Sequence, residues 1–496
     1  MFRFSLPRAF APIGAAVLLA GCNSVFNEPV NELAAVETNL ITALPDGRDS
    51  EDTTIIGLGF SGGGTRAAAF SYGLLKELQA TPLPGDRQGR SMLDAVRFVS
   101  GVSGGSVTAA YFGLKGKGFG DLREKFLIRD AEADMRTGVG PTNILRAIHG
   151  GVNDKSSFGR WLDRNVFNGA RFADLNRPGA PVIWINATDL YNRTPFIFNP
   201  ETFSALCSDL NSLPISEAVA ASAAVPVVFS PIVLQAYGPQ CNYHPPGWLE
   251  TARNDPSAPS SLRAYAAALE SYRDAERLKY VKLVDGGITD NFGITGVSLA
   301  RAASQTPYGP LTPREAVRLK RLIYIVADAG RTPDAEWGAT VKGPGVVELI
   351  SAVTDTAISN SVRDGYDAFR LLMNRWQESL INYRCSLKAA EVKRLRGSLD
   401  GWNCRDLKFF VSDVSFADVD PAMERQLQQI KTRLKLPTPQ VDLAIAAGST
   451  ALRNDPTFIG AMRSLQGIST DGKQRMPPAQ PGPASPPAPE RLTVSN

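Results

Sequence analysis

The sequence predicts an α/β fold: a mostly parallel central sheet with helices on both faces, in three α/β/α layers. Three observations carry this expectation. Short apolar, β-leaning runs alternate with stretches of helical spacing along most of the chain. The first two runs each pass through a glycine-rich turn straight into a helix-like segment. With 496 residues, 43% of them hydrophobic, the chain can also bury a large core.

Thr53 to Phe60 is the first strand-like run, and Arg66 to Gln79 follows with Ala69, Tyr72, Leu75 and Leu78 at helical spacing. The unit recurs as strand (Val96 to Ser100), turn (Gly101 to Gly105) and helix (Ser106 to Leu114). Later strand-like runs are Val182 to Ala187, Tyr280 to Val284, Leu322 to Ala327 and Phe409 to Val411. Helix-like stretches between them include Ile215 to Ala224, Leu262 to Leu278 and Val346 to Trp376. From Ser469 the chain turns polar and then Pro-rich, a composition that cannot form a core, so 469–496 reads as a disordered tail.

The N-terminus carries a targeting signal. Arg3 and Arg8 precede an apolar run from Ala9 to Ala20, too short to span a bilayer comfortably and interrupted by Pro12, so 1–21 reads as a signal peptide. Leu19-Ala20-Gly21-Cys22 resembles the bacterial lipobox, in which the cysteine is lipidated and becomes the new N-terminus. An ordinary signal peptide cut nearby is the competing reading. A lipidated Cys22 would hold the protein to a membrane without a spanning helix, and residues 22–52, polar and poorly periodic, read as a tether lifting the body off it. Asn23, where inner-membrane lipoproteins often carry Asp, leans toward the outer membrane of a bacterial envelope, facing the periplasm.

Lys and Arg number 53 against 49 Asp and Glu, without the basic blocks of a nucleic-acid surface, so nucleic acid is not an expected partner. Past Cys22 four cysteines remain, and in an oxidising compartment their spacing favours Cys207–Cys241 and Cys385–Cys404, against a reading as four buried thiols. No cysteine has metal-site spacing, and no metal or cofactor is expected.

Gly101-Val102-Ser103-Gly104-Gly105 matches G-x-S-x-G between a buried strand and a helix, where a sharp turn would expose the Ser103 hydroxyl at a helix N-terminus. Upstream, Gly57, Gly59 and Gly62 also fit a dinucleotide fingerprint. The acidic partner that fingerprint wants falls on Glu77, inside the following helix, which argues against it. The stronger reading takes Gly62, Gly63 and Gly64 as backbone N–H donors for the oxyanion of a tetrahedral intermediate. Arg66 either holds that loop, meets an anionic headgroup or is a solvated helix residue.

A serine nucleophile needs a base. The chain has two histidines, His149 and His244, neither in the late position of an α/β-hydrolase triad. Asp285, in Val284-Asp285-Gly286-Gly287 at the end of an apolar strand, is the other candidate; direct contact with Ser103 and desolvation would make it basic enough. In a parallel sheet the C-terminal ends of strands converge on one edge, which would bring the two together.

Gly-Gly-Gly-x-Arg, then G-x-S-x-G, then Asp-Gly-Gly, in this order, closely resembles the patatin-like phospholipases. The resemblance spans about Ile55 to Ile294 and is joined by Thr188-Asp189-Leu190 and the small-residue run Ala220 to Pro226, with departures at Ser61 and Ala67. It implies a Ser103–Asp285 dyad, an oxyanion hole on the first glycine loop, and a lipid or other acyl ester as substrate. The implied organisation is a catalytic domain over 53–300, with 238–278 as a cap insertion, and a 301–468 extension completing the fold. Two other readings stand beside it: a Ser103–His244 esterase with an acid such as Asp209, and an envelope-binding lipoprotein that kept a hydrolase scaffold.

Overall fold

The structure is a computed structural model and describes residues 27–34, 53–136, 140–148, 150–332, 338 and 341–468. The expected signal peptide, Cys22, His149 and the Pro-rich tail lie outside the described residues.

β1 (Thr54–Phe60) is buried along its whole length and pairs in parallel with β2 (Val96–Val102) on one side and β7 (Arg321–Ala327) on the other. A strand covered on both faces needs no polar alternation, which is why its sequence reads as one apolar run. β3 (Val182–Asp189) adds in parallel to β2, and β8 (Lys408–Val414) in parallel to β7. Three pairings are antiparallel: β4 (Thr194–Ile197) on β3, β6 (Tyr280–Asp285) on β3, and β5 (Ile232–Gln235) on β6. The eight-stranded sheet is therefore mixed and mostly parallel. β7 and β8, beyond residue 300, belong to this same sheet.

Helices cover both faces. On one, α1 (Gly64–Ala80) and α2 (Gly104–Lys115) pack together, with α3 (Ile215–Ser222) on β3 and β6, and α8 (Thr438–Asn454) against α1, where Ser449 Oγ donates to the Gly73 carbonyl at 2.7 Å. On the other face α6 (Thr295–Ala303) meets the Trp184 ring through Gly296. There the 41-residue α7 (Val346–Ser386) lays Phe369 on Tyr324 and Trp376 on Phe409. No helix among the described residues is long and apolar enough to cross a membrane. Cys207–Cys241 and Cys385–Cys404 are disulfides with Cα separations of 5.5 and 5.0 Å.

Two expectations need correction. Residues 27–34 are not a free tether: they lie along β5 with Asn27, Asn31 and Ala34 buried, covering the edge of the sheet. Asn31 clamps Gln235 twice, its amide donating to the Gln235 carbonyl at 2.9 Å and its oxygen accepting the Gln235 N–H at 2.7 Å. Next, β6 runs antiparallel to β3. The 238–278 segment, expected as a cap insertion, packs against β4 and α6. It folds as α4 (Gly247–Asn254) and α5 (Ser260–Ser271), and Tyr272 just past α5 packs on Phe196 of β4 and donates to Asp189 Oδ2 at 2.9 Å. Its apolar residues Leu262, Tyr265 and Leu269 are buried with that aromatic cluster.

Candidate active site

The register of β3 explains how two distant turns meet. Asn186 pairs with Val102 on one side and Ile197 on the other, while its neighbour Ala187 pairs with Asp285 and Phe196. Because β4 occupies one side of β3 at both positions, β2 and β6 share the other side and approach end to end. Ser103 follows the last residue of β2, and Asp285 is the last residue of β6. The two are brought together by an antiparallel strand arriving head-on rather than by parallel strand ends converging on one edge.

Ser103 has φ 49° and ψ −120°, a conformation that costs a non-glycine residue about 1–3 kcal/mol and persists only where the surroundings hold it. Here its N–H donates to Ser222 Oγ at 2.8 Å, and that hydroxyl donates to the Asn186 carbonyl at 2.6 Å. Ser106 Oγ donates to the Ser103 carbonyl at 2.6 Å. The turn places Ser103 as the residue before α2, where a developing negative charge is favoured.

Asp285 is fixed through its backbone. Its N–H donates to the Ala224 carbonyl at 2.9 Å, its own carbonyl accepts from Thr188 Oγ1 at 2.8 Å, and the next N–H, of Gly286, donates to the Ser222 carbonyl at 3.0 Å. A side chain at Gly286 would begin 2.2 Å from the Asn186 carbonyl oxygen, so the turn closes only around glycine. Asp285 Oδ1 accepts the Gly287 N–H at 2.8 Å. Burial pushes the carboxyl pKa from 3.8 up to about 6, and hydrogen bonds from Gly287 and the Ser103 hydroxyl pull it partly back. Burial is completed from α7, where Ile358 lies over Gly287 and Ser361 Oγ donates to the Gly287 carbonyl at 3.3 Å.

The glycine loop abuts the same point, a side chain at Gly62 starting 3.3 Å from Ser103 Cβ. Of the three expected donors, Gly62 is engaged: its N–H reaches Asn291 Oδ1 at 3.1 Å and the Asn291 carbonyl at 3.3 Å. Gly63 and Gly64, at φ 138° and 62°, have N–H groups without a hydrogen bond among the described residues. Gly104, the residue after Ser103, packs directly on the Gly64 carbonyl and is a further donor. Arg66 is not a solvated helix residue: it ties the start of α1 to the segments around Ala329 and Ile430. It is buried, Nε donates to the Ala329 carbonyl at 3.0 Å and Nη1 to the Ile430 carbonyl at 2.5 Å, and desolvation lowers its pKa to about 10.

Residues 58–297 match the family model described as patatin-like phospholipase. The chain carries a patatin-like phospholipase domain. Among solved structures, human GIVD cytosolic phospholipase A2 is similar at 13% identity over 88% of this chain and 66% of that one, with a TM-score of 0.37. VipD from Legionella pneumophila is similar at 12% identity over 90% and 73%, with a TM-score of 0.30. The chain thus spans just under two thirds of the human phospholipase chain. No curated protein sequence matches it.

The other candidates lie elsewhere in the patatin-like domain and its flanks. His244 is exposed in the loop after Cys241, with no hydrogen bond to Ser103 or Asp209 among the described residues. Asp209 closes its own turn by accepting the Asn211 N–H at 2.9 Å. Glu77 pairs with Arg453 at 2.7 Å on the outside of α1. The positioning residues Asn186, Ser222 and Asn291 escaped the sequence reading, because their partners are 36 to 229 residues away and no local spacing marks them.

Proposed function

We propose that the chain is a lipid acyl hydrolase with Ser103 as nucleophile and Asp285 as its base, held at a bacterial envelope membrane by a lipidated Cys22. The observation that carries this reading is the head-on meeting of two turns on one side of β3: Ser103, on a strained turn at the end of β2, and Asp285, at the end of β6, whose buried carboxyl has its pKa raised to about 6. Asp285 removes the Ser103 proton as Oγ attacks the acyl carbonyl carbon. The oxyanion that forms is met by N–H groups of Gly63, Gly64 and Gly104. Collapse of the intermediate breaks the ester bond, and the departing alkoxide takes the proton from Asp285. Water, deprotonated by Asp285 in turn, hydrolyses the acyl-serine and restores both groups. Support for the envelope comes from Leu19-Ala20-Gly21-Cys22 and from two disulfides, which suit an oxidising compartment.

The test is covalent labelling. An alkyl fluorophosphonate should modify Ser103 and abolish ester hydrolysis, and Ser103→Ala should be neither labelled nor active while keeping wild-type circular dichroism. A folded Ser103→Ala protein that still turns over esters overturns the reading.

A further inference from the structure

Two features that the chemistry leaves unused flank the Asp285 turn. The first is the N-terminal strap, residues 27–34. Asn27 Nδ2 donates to the carbonyls of Ser230 (3.2 Å) and Pro231 (2.9 Å), the Val30 N–H to Val233 (3.1 Å), and the Ala34 N–H to Cys207 (2.9 Å). The strap therefore runs parallel to β5, and its upstream end is the one beside Ser230. Ile232 pairs with Leu283 on β6 at the end of that ladder, so Ser230 lies beyond it toward the Asp285 end of β6, where the Ala224 carbonyl takes the Asp285 N–H. At about 4.8 Å per strand spacing, Asn27 enters the body about 10 Å from Asp285. Cys22 precedes Asn27 by five residues, which span at most about 18 Å fully extended. An anchor there is held closer to Asp285 than the roughly 30 Å thickness of a bilayer core.

The second feature is the start of α7. Ile358 and Ser361 sit on Gly287, and from that point the helix continues N-terminally for twelve more residues. Leu349, Ile350 and Val353 in that stretch are 51%, 39% and 62% exposed and fall at i, i+1 and i+4, on one side of the helix. At 1.5 Å per residue Val353 is about 7.5 Å and Leu349 about 13.5 Å along the axis from Ile358. Exposed Val228, two residues from Ser230, flanks the strap's entry.

We infer that the surface around the Asp285 turn is the membrane-facing surface, with the first turns of α7 and the strap entry beside Val228 lying against the bilayer. The occupant is a lipid surface rather than a second copy of the chain, because the short link to Cys22 holds any anchored membrane at this surface. The contact is apolar. Between 346 and 362 the helix carries Glu348 and Asp355 and no Lys or Arg, so zwitterionic headgroups suffice and salt has little effect. This inference rests on the envelope reading above and adds which surface meets the lipid and through which residues.

The experiment uses the full chain reconstituted into phosphatidylcholine vesicles, with one environment-sensitive fluorophore on Val353→Cys, Val228→Cys or Leu399→Cys. Leu399 is exposed near the far end of α7, where Arg384 is 26 residues and about 39 Å from Ile358. Expected are blue-shifted emission at 353 and 228 and at least about twofold quenching there by brominated acyl chains, with neither at 399. An unshifted 353, a shift at 399 in its place, or a shift at 353 that needs only protein concentration and no vesicles overturns the inference. The readout does not depend on turnover: shifts at 353 and 228 in a chain that hydrolyses no ester would sink the hydrolase reading and leave the membrane surface standing.

Discussion

Asp285 and Asp290 lie five residues apart in one stretch of chain, both almost fully buried, and both have carboxyl pKa values raised by burial. They differ in what meets their oxygens. Asp290 is saturated by fixed backbone donors: Oδ1 accepts the Ile294 N–H at 3.2 Å and Oδ2 the Thr295 N–H at 2.7 Å, closing the turn into α6. Asp285 has one such donor among the described residues, Gly287 on Oδ1, and the other influence on its carboxyl is the Ser103 hydroxyl. Burial alone therefore does not make a buried carboxylate a base. The number of rigid donors left unmade does, because each fixed N–H donor stabilises the ionised carboxylate and lowers its affinity for a proton from a substrate or a nucleophile.

The largest expected effect tests that difference at the chemical step. Asp285→Asn should lower kcat by about 10²–10⁴-fold with KM little changed, since the amide keeps the shape and cannot accept the Ser103 proton. In the wild type, kcat/KM should fall as the pH drops through about 6, where Asp285 protonates and ceases to be a base. Asp290→Asn should keep that same acid limb. A pH profile flat from 8 to 5, or an Asp285→Asn enzyme within tenfold of wild type, removes Asp285 from the mechanism.

The next effect is on stability, and the same substitution should act with opposite sign at the two sites. Folding raises the Asp285 pKa from 3.8 to about 6, so the stability of its neutral form is present below about pH 4 and lost as the pH rises to about 6. That loss amounts to about 3 kcal/mol. Asp285→Asn escapes it, and at pH 8 should resist denaturant better than wild type by up to about 3 kcal/mol. Asp290→Asn instead turns an amide donor toward the Ile294 or Thr295 N–H and should be less stable by about 1–2 kcal/mol, relief of its buried charge offsetting part of the cost. Urea midpoints measured at pH 8 decide the matter; two shifts of the same sign would erase the contrast.

Much of this site is legible in the sequence because glycine marks it. A serine forced to φ 49° between Gly101 and Gly104, and an Asp285 turn that must pass the Asn186 carbonyl, leave a written trace in the neighbours they require. Ser222 and Asn291 leave none, since their roles are set by partners brought in by the Ser103 turn, β3 and the glycine loop. The α/β alternation is readable from apolar runs of three to eight residues. β4 escapes because Pro195 interrupts its four residues and β5 because it follows Pro231, both marks of a non-strand in sequence, and the direction of β6 because pairing direction is not written in a strand's own composition. The strap was misread for a related reason: Asn27 and Asn31 look like linker residues until the edge of β5 supplies backbone groups that satisfy them.

The smallest expected effect concerns the residue type ordinarily chosen as a serine's base. His244 is exposed, follows the disulfide cysteine Cys241, and makes no hydrogen bond to Ser103 among the described residues. An imidazole acting as base must stand about 3 Å from the hydroxyl, either in the free enzyme or after a closure that brings it there. The 238–278 segment that carries it is committed to β4 through Tyr272 and Phe196, so such a closure would have to break buried aromatic contacts. His244→Ala should therefore leave kcat/KM within about twofold and stability within about 0.5 kcal/mol, the range of an ordinary surface substitution. The acid limb near pH 6 is the sharper readout, because it reports the group that acts as base. If the limb persists unchanged in His244→Ala, it belongs to the carboxylate. If the limb and the activity vanish together, a Ser103–His244 pair performs the chemistry, and the unsaturated oxygen of Asp285 needs another explanation.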